Sequence, residues 1–123
     1  MSVSYERRYS TPLPEEGYQP WERCSPGSQA HFRLVPTVNS GEKAVYIPYL
    51  QAMSMEIDRS VTQLGLICPA SRHIVFIEGR LLNELANLLS AREVRAIYVH
   101  DPAEDGEIAQ SKPVVKSIRV EWR

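Results

Sequence analysis

Apolar residues recur at every second position over much of the second half of this chain, and this period limits the folds open to it. The first such run extends from Val45 to Asp58 and alternates between apolar and polar side chains. An alternation of period two is typical of a strand with one buried face. The run predicts one long strand, with an edge or a bulge at Pro48, which has no N–H to donate to a neighbouring strand.

A hairpin is predicted where this strand meets the next apolar run. A chain reversal near residue 59 places Met55 opposite Leu64 and Met53 opposite Leu66. Directly opposed residues share a face of the sheet, so both apolar sets lie on the same side. Because two independent patterns agree, we expect an antiparallel pair joined by a loop of about four residues.

The rest of the chain predicts one helix and three further strands. The run His73–Ile77 is apolar at consecutive positions, which is typical of a central strand. Leucines at helical spacing predict a helix over residues 81–89, and alternation returns in Val94–Val99 and Val114–Trp122. The strand–helix–strand order favours a parallel pair with a right-handed crossover.

The predicted fold is therefore α+β, with a small curved mixed β-sheet of about five strands in the order β-β-β-α-β-β. One amphipathic helix packs on this sheet, and an extended N-terminal arm over residues 1–41 precedes the domain at 42–123. One short helix cannot cover both faces of such a sheet. Ile67, Ile74 and Phe76 on the far face therefore need another cover: a curled sheet, the arm or a second subunit.

The N-terminal arm is rich in proline, which is typical of an extended or disordered segment. Its aromatic content is high for an inert linker, and aromatic side chains offer large contact areas at low entropic cost. Two interpretations stay open: a disordered tail, or an arm that packs on its own domain, a second subunit or another partner. The aromatic residues are Tyr5, Tyr9, Tyr18, Trp21 and Phe32.

Charge and cysteine content restrict the partners and the compartment that we expect. The net charge is −1, and acidic and basic residues are interleaved along the chain, which disfavours binding to a phosphate backbone. No apolar run is long enough for a signal peptide or a membrane helix, so no membrane partner is expected. The two cysteines are far apart and are expected to be free thiols, so we predict a cytoplasmic protein.

Few residues suggest chemistry. Cys68 and His73 bracket a predicted turn, and a thiol beside an imidazole can act as a nucleophile, but no third orienting group is evident. No local cysteine or histidine pair predicts a zinc site, and the acidic segment 101–107 lacks the ligand spacing of a calcium loop. We expect no catalytic residue, no metal and no cofactor.

Gly79 and Arg80 lead from a strand into the helix, where glycine loops can cradle phosphates. A single glycine is a weak signal, and Gly79 is more simply explained by a tight turn. Arg80 remains a candidate for contact with an anion or a partner.

The leading hypothesis is a non-enzymatic protein-interaction or assembly module that self-associates or docks a protein partner through the exposed sheet face and the N-terminal arm. One alternative is a small nucleic-acid-binding accessory subunit with a stripe formed by Arg95, Lys116, Arg119 and Arg123. The other is a small ligand-binding protein or enzyme that uses Cys68 and His73. The predicted interaction residues are Tyr9, Tyr18, Trp21, Phe32, Arg80 and Arg119.

Overall fold

The computed structural model describes residues 17–35, 44–49, 53–68 and 72–122. Within these ranges the chain forms two four-stranded sheets, sheet A and sheet B, and two short helices. The strands of sheet A come from both halves of the described chain, whereas those of sheet B all follow residue 53.

Sheet A has the strand order β1-β7-β2-β3. Strand β7 pairs antiparallel with β1 and parallel with β2, and β2 pairs antiparallel with β3. The parallel pair joins strands that are far apart in the sequence. The strands are β1 (Trp21–Arg23), β2 (His31–Val35), β3 (Val45–Pro48) and β7 (Val94–Tyr98).

Sheet B has the strand order β4-β5-β6-β8 and is antiparallel throughout. The pair formed by β6 and β8 contains a bulge, because Glu78 pairs with Ser117 and the next residue, Gly79, pairs with Val115. The strands are β4 (Ser54–Ile57), β5 (Gln63–Cys68), β6 (His73–Arg80) and β8 (Val114–Trp122).

Helix α1 (Asn83–Ser90) follows β6 and buries its leucine face, which includes Leu85, Leu88 and Leu89. Its C-terminus forms a Schellman motif, because the Glu93 N–H donates to the Leu88 carbonyl and the Arg92 N–H donates to the Leu89 carbonyl. Helix α2 (Pro102–Asp105) is one turn long and is capped by the side chain of Asp101.

Both sheets and helix α1 contribute to one hydrophobic core. Sheet A provides large side chains such as Phe32 and Leu34, and sheet B provides Leu64, Leu66 and Ile77. A smaller cluster lies on the other face of sheet A and includes Tyr18, Ala96, Tyr98 and Val114, with Ile108 against it. Sheet A is therefore covered by apolar side chains on part of both faces.

The predicted single five-stranded sheet with one helix is wrong. The run from Val45 to Asp58 forms two strands in different sheets, β3 and β4. Strand β7 does not pair with β6, as the predicted crossover required, but lies between β1 and β2 of sheet A. Alternation specifies which side chains share a face, but it does not specify the neighbouring strand, and this is where the prediction failed.

The part of the predicted N-terminal arm that the structure describes, residues 17–35, packs on its own domain as part of sheet A. Residues 21–23 and 31–35 form β1 and β2 of sheet A, and the backbone of Tyr98 donates to the Pro20 carbonyl. Short strands separated by a turn containing Pro26 and Gly27 carry too few residues for alternation to be recognised.

The predicted hairpin is present with a shifted register. Met55 pairs with Leu66 rather than with Leu64, which pairs with Ile57. The apolar face is kept because the shift is by two residues, which is the side-chain period. The turn is closed by Asp58, whose carboxylate accepts hydrogen bonds from the backbone N–H groups of Thr62 and Gln63.

The prediction that Gly79 forms a tight turn is wrong, since this residue lies inside β6. A Cβ atom at this position would lie 2.0 Å from the carbonyl oxygen of Val114. The glycine is required because the backbone of β8 approaches β6 closely at the bulge, and not because of a left-handed conformation.

Candidate functional site

Sheet B has one face in the core and one face turned away from it, which we call the open face. Opposed residues place its strand positions in three rows across the sheet. Neither hydrophobic cluster includes any of these residues. The rows are Ser54, Ile67, Ile74 and Glu121; Glu56, Gly65, Phe76 and Arg119; and Gln63, Glu78 and Ser117.

The open face exposes large apolar side chains. Ile67 and Phe76 are 46% and 38% exposed, although both lie on the two inner strands of the sheet. Ile57, at the end of β4, is also 39% exposed, although its partner Leu64 faces the core. A cluster of this kind on a sheet face, bordered by polar residues, is typical of a surface that contacts another molecule.

A groove of about 590 Å³ crosses the open face at the middle row. Gly65 forms its low point, because this residue has no side chain and a Cβ placed there would meet nothing within 4 Å. The ring of Phe76 borders the groove, and the guanidinium of Arg119 lies 4.4 Å from the centre of that ring. This distance is within the range of a cation–π interaction.

Carboxylates surround this groove. Glu56, Asp58 and Glu78 line it, whereas Arg119 is the one basic residue among the described residues of its lining. Hydrogen bonds from the backbone of Gln63, then from the Thr62 side chain, lower the pKa of Asp58 and keep this carboxylate ionised. The groove therefore has an acidic border and a partly apolar floor.

Arg119 also forms an exposed ion pair on the same face. Its Nε lies 3.3 Å from Oε2 of Glu121, two residues along β8. The guanidinium therefore contacts both Phe76 and Glu121 on the open face. An exposed pair of this kind adds little stability, so it leaves Arg119 available for another carboxylate.

The outer face of sheet A has a different character, because its charged groups bond to one another. The Tyr98 hydroxyl donates to Oε1 of Glu22 and accepts from the Arg33 guanidinium at 3.2 Å. Arg95 lies 3.9 Å from the other oxygen of Glu22. A groove of about 480 Å³ beside them is also lined by Tyr46, which is 60% exposed.

Three predicted interaction residues are parts of the folded interior. Trp21 and Phe32 belong to the main core. Tyr18 is buried, and its hydroxyl donates to the Tyr98 carbonyl at 2.6 Å and accepts from the Val115 N–H at 3.1 Å. It therefore joins β7 of sheet A to β8 of sheet B. The fourth aromatic residue, Tyr9, lies outside the described residues.

The two predicted arginines have different surroundings. Arg80 donates to the backbone carbonyls of Ile108, Ala109 and Lys112, so it holds the segment between α2 and β8 in place. Arg119 lies on the open face, where its contacts are side chains. The structure brings Arg119 to the candidate site and places Arg80 away from it.

Cys68 and His73 are directly opposed across β5 and β6, as the sequence predicted, but both side chains are buried. Burial raises the pKa of the Cys68 thiol, which disfavours the thiolate that nucleophilic attack needs. Among the described residues no group of three or more histidine, cysteine or acidic side chains is arranged to hold a metal ion.

The predicted basic stripe is divided between the sheets. Arg95 lies on β7 of sheet A, and Lys116 and Arg119 lie on β8 of sheet B. Arg123 is outside the described residues. The helices in the described part of the chain are too short or too polar to span a membrane.

Sequence reasoning found Ile67, Ile74 and Phe76 as residues that the helix does not cover, but it missed the acidic border of the groove. Glu56 and Glu78 each stand alone in the sequence, and the strand register alone brings them near Gly65. A glycine between two leucines in an alternating strand was the available signal for a depression on the polar face.

No family model, curated protein or solved structure matches this chain.

Proposed function

We propose that this protein is a non-enzymatic assembly module that self-associates, and that the open face of sheet B binds the N-terminal segment of a second copy. The observation that carries the proposal is the groove at Gly65, where exposed Phe76 lies among carboxylates. The buried thiol of Cys68, with its raised pKa, argues against the enzymatic alternative.

The charge of the groove restricts what binds there. Two open faces packed against each other would bring Glu56, Glu78 and Glu121 near their own copies, and like charges in contact oppose association. A complementary segment would carry basic groups for the carboxylates and aromatic groups for the surface around Phe76.

Within residues 1–16, which hold two arginines and three glutamates, residues 5–9 carry both kinds of group. Arg7 and Arg8 lie between Tyr5 and Tyr9, so basic and aromatic side chains are close together in the sequence. An extended chain of sixteen residues spans about 50 Å, which is enough to reach a neighbouring molecule.

Tyr18 marks where the first described residues of the chain lie. Its hydroxyl bonds to the backbone of Val115, whose N–H and carbonyl groups point away from β6. The first described residues therefore lie beside the outer edge of β8, and not above the open face.

Light scattering on the full chain across a range of concentrations tests this proposal. We expect a defined oligomer that weakens as salt is raised, because the contact is electrostatic in part. The double variant E56K/E78K should reduce association about tenfold or more, and adding R7E/R8E to it should restore much of that loss. The matched control is Glu84→Lys, which reverses an exposed charge on helix α1.

A wild-type chain that stays monomeric at every concentration would overturn self-association. An oligomer that responds equally to E56K/E78K and to Glu84→Lys would remove the open face from the contact.

A further inference from the structure

The four sheet edges that the structure describes differ in length. Strands β1, β3 and β4 have three or four residues each, whereas β8 has nine. Strand β8 pairs with β6 on one side, and within the described residues no strand pairs with its other side. A long unpaired edge is a template for pairing with another strand.

Hydrogen bonds define which residues of β8 have outward-pointing backbone groups. The Gly79 N–H donates to the Thr62 carbonyl, so Gly79 points toward β5, and alternate residues such as Glu78 and Phe76 point toward β8. Their partners, Ser117 and Arg119, therefore bond to β6.

The residues between these partners point the other way. Ile118 and Val120 present their N–H and carbonyl groups at the outer edge of β8. Val115 also points outward, because the bulge shifts the alternation by one residue, and it bonds to His100 and Tyr18 rather than to β6. The outer edge from Ile118 onward is thus set up to accept a further antiparallel strand.

We propose that two copies of this chain pair antiparallel through β8, related by a twofold axis at Val120. This register opposes Val120 with the partner's Val120, and their outward N–H and carbonyl groups bond reciprocally. It also places Arg119 opposite the partner's Glu121, and Glu121 opposite the partner's Arg119, on the open face.

The order of charged residues along β8 favours this register over those centred one residue earlier or later. Centring the pair on Arg119 would oppose two guanidinium groups, and centring it on Glu121 would oppose two carboxylates. Like charges directly opposite each other destabilise a strand pair, whereas opposite charges stabilise it. Arg119 and Glu121 occupy positions of the new pair that are not hydrogen-bonded, where opposed side chains are closest.

This pairing rests on the proposed self-association and names a contact between the copies that is separate from the N-terminal segment. It would join the two copies of sheet B into one continuous sheet. The two open faces would then lie side by side on one surface, and a closed twofold contact would leave β8 no free edge.

Amide exchange and label distances in the full chain test the register. We expect the amides of Ile118 and Val120 to become protected as protein concentration rises, while those of Ser117 and Arg119 are protected at all concentrations. In a C24S/S117C chain carrying spin labels, the two Cα atoms at position 117 should be about 20 Å apart, since six residues at about 3.3 Å separate them.

Charge variants test the same contact by a second route. Arg119→Glu should weaken association about tenfold, and the exchanged pair R119E/E121R should restore it to within about threefold, because the opposed charges are again complementary.

These outcomes separate the two proposals. An oligomer that E56K/E78K disrupts, but whose Ile118 and Val120 amides exchange freely, would overturn the β8 pairing and leave the proposed function standing. Protected edge amides in an oligomer unaffected by E56K/E78K would support the pairing and overturn docking on the open face. A chain monomeric at all concentrations would overturn both.

Discussion

The outer faces of sheets A and B differ in how their apolar side chains are covered. On sheet A the chain supplies the cover, because Tyr18 and Ile108 pack near Ala96 and Tyr98. The charged groups beside them bond to one another through Glu22.

On sheet B, the corresponding face carries exposed Phe76 and a border of carboxylates. Both sheets contribute to the same hydrophobic core, so the packing of that core does not explain why their outer faces differ. We infer that the difference reflects use: the chain itself covers the outer face of sheet A around Ala96 and Tyr98, whereas we propose that a second molecule covers the open face of sheet B.

The largest expected effect comes from closing the space between β6 and β8. Gly79→Ala places a Cβ 2.0 Å from the Val114 carbonyl oxygen, so the strands must separate. We expect a loss of about 3 kcal/mol or more in the free energy of unfolding, measured by urea denaturation.

The matched control is Gly65→Ala on the open face of the same sheet, where the added Cβ meets nothing within 4 Å. Its effect should stay below about 1 kcal/mol. Equal losses in the two variants would contradict the tight approach at Gly79 and the open space at Gly65.

A smaller effect is expected from breaking the junction between the sheets. Tyr18→Phe removes the hydroxyl that joins the Tyr98 carbonyl to the Val115 N–H, and both groups are buried. We expect a loss of about 1–3 kcal/mol, because a buried donor and a buried acceptor are left unsatisfied. Tyr46→Phe, at a residue that is 60% exposed, should change the free energy of unfolding by less than about 0.5 kcal/mol. A Tyr18→Phe chain as stable as wild type would show that the junction does not depend on this hydroxyl.

The smallest expected effect is a change of fold stability with pH that depends on Asp58, at the edge of the open face. The folded pKa of Asp58 is lowered by hydrogen bonds from Gln63 and Thr62, so the carboxylate stabilises the fold above its unfolded pKa of about 4. This contribution is lost as the pH falls through the folded pKa. Asp58→Asn should therefore be less stable than wild type at pH 7, and the difference should shrink in acid. Urea denaturation of both chains at pH 7 and at pH 3 measures it, and a difference that grows in acid would contradict the sign.

Local patterns predicted several elements well. The helix is present at Asn83–Ser90, β8 has the predicted bounds, and β6 is a central strand. The far-face positions of Ile67, Ile74 and Phe76 were also predicted, because adjacent side chains on a strand point to opposite faces. These features depend on residues close in the sequence.

The assembly of those elements was not predictable in the same way. Strand β7 pairs with β1 and β2, which lie more than sixty residues earlier in the chain. No feature of the run from Val94 to Tyr98 indicates that these strands are its partners. The contacts of Tyr18 with Tyr98 and Val115 span 80 and 97 residues. The hydrogen bonds of Arg80 were not predictable either, because the carbonyls that it binds come from a segment about thirty residues away.

The sequence by itself determined which side chains face inward and which face outward on each strand, because that choice follows a period of two residues. Only the tertiary structure decided which strands are neighbours, and with them the position of the groove at Gly65 and the free edge of β8. Pairing depends on how distant segments return to one another, and alternation is unchanged by the identity of the partner strand.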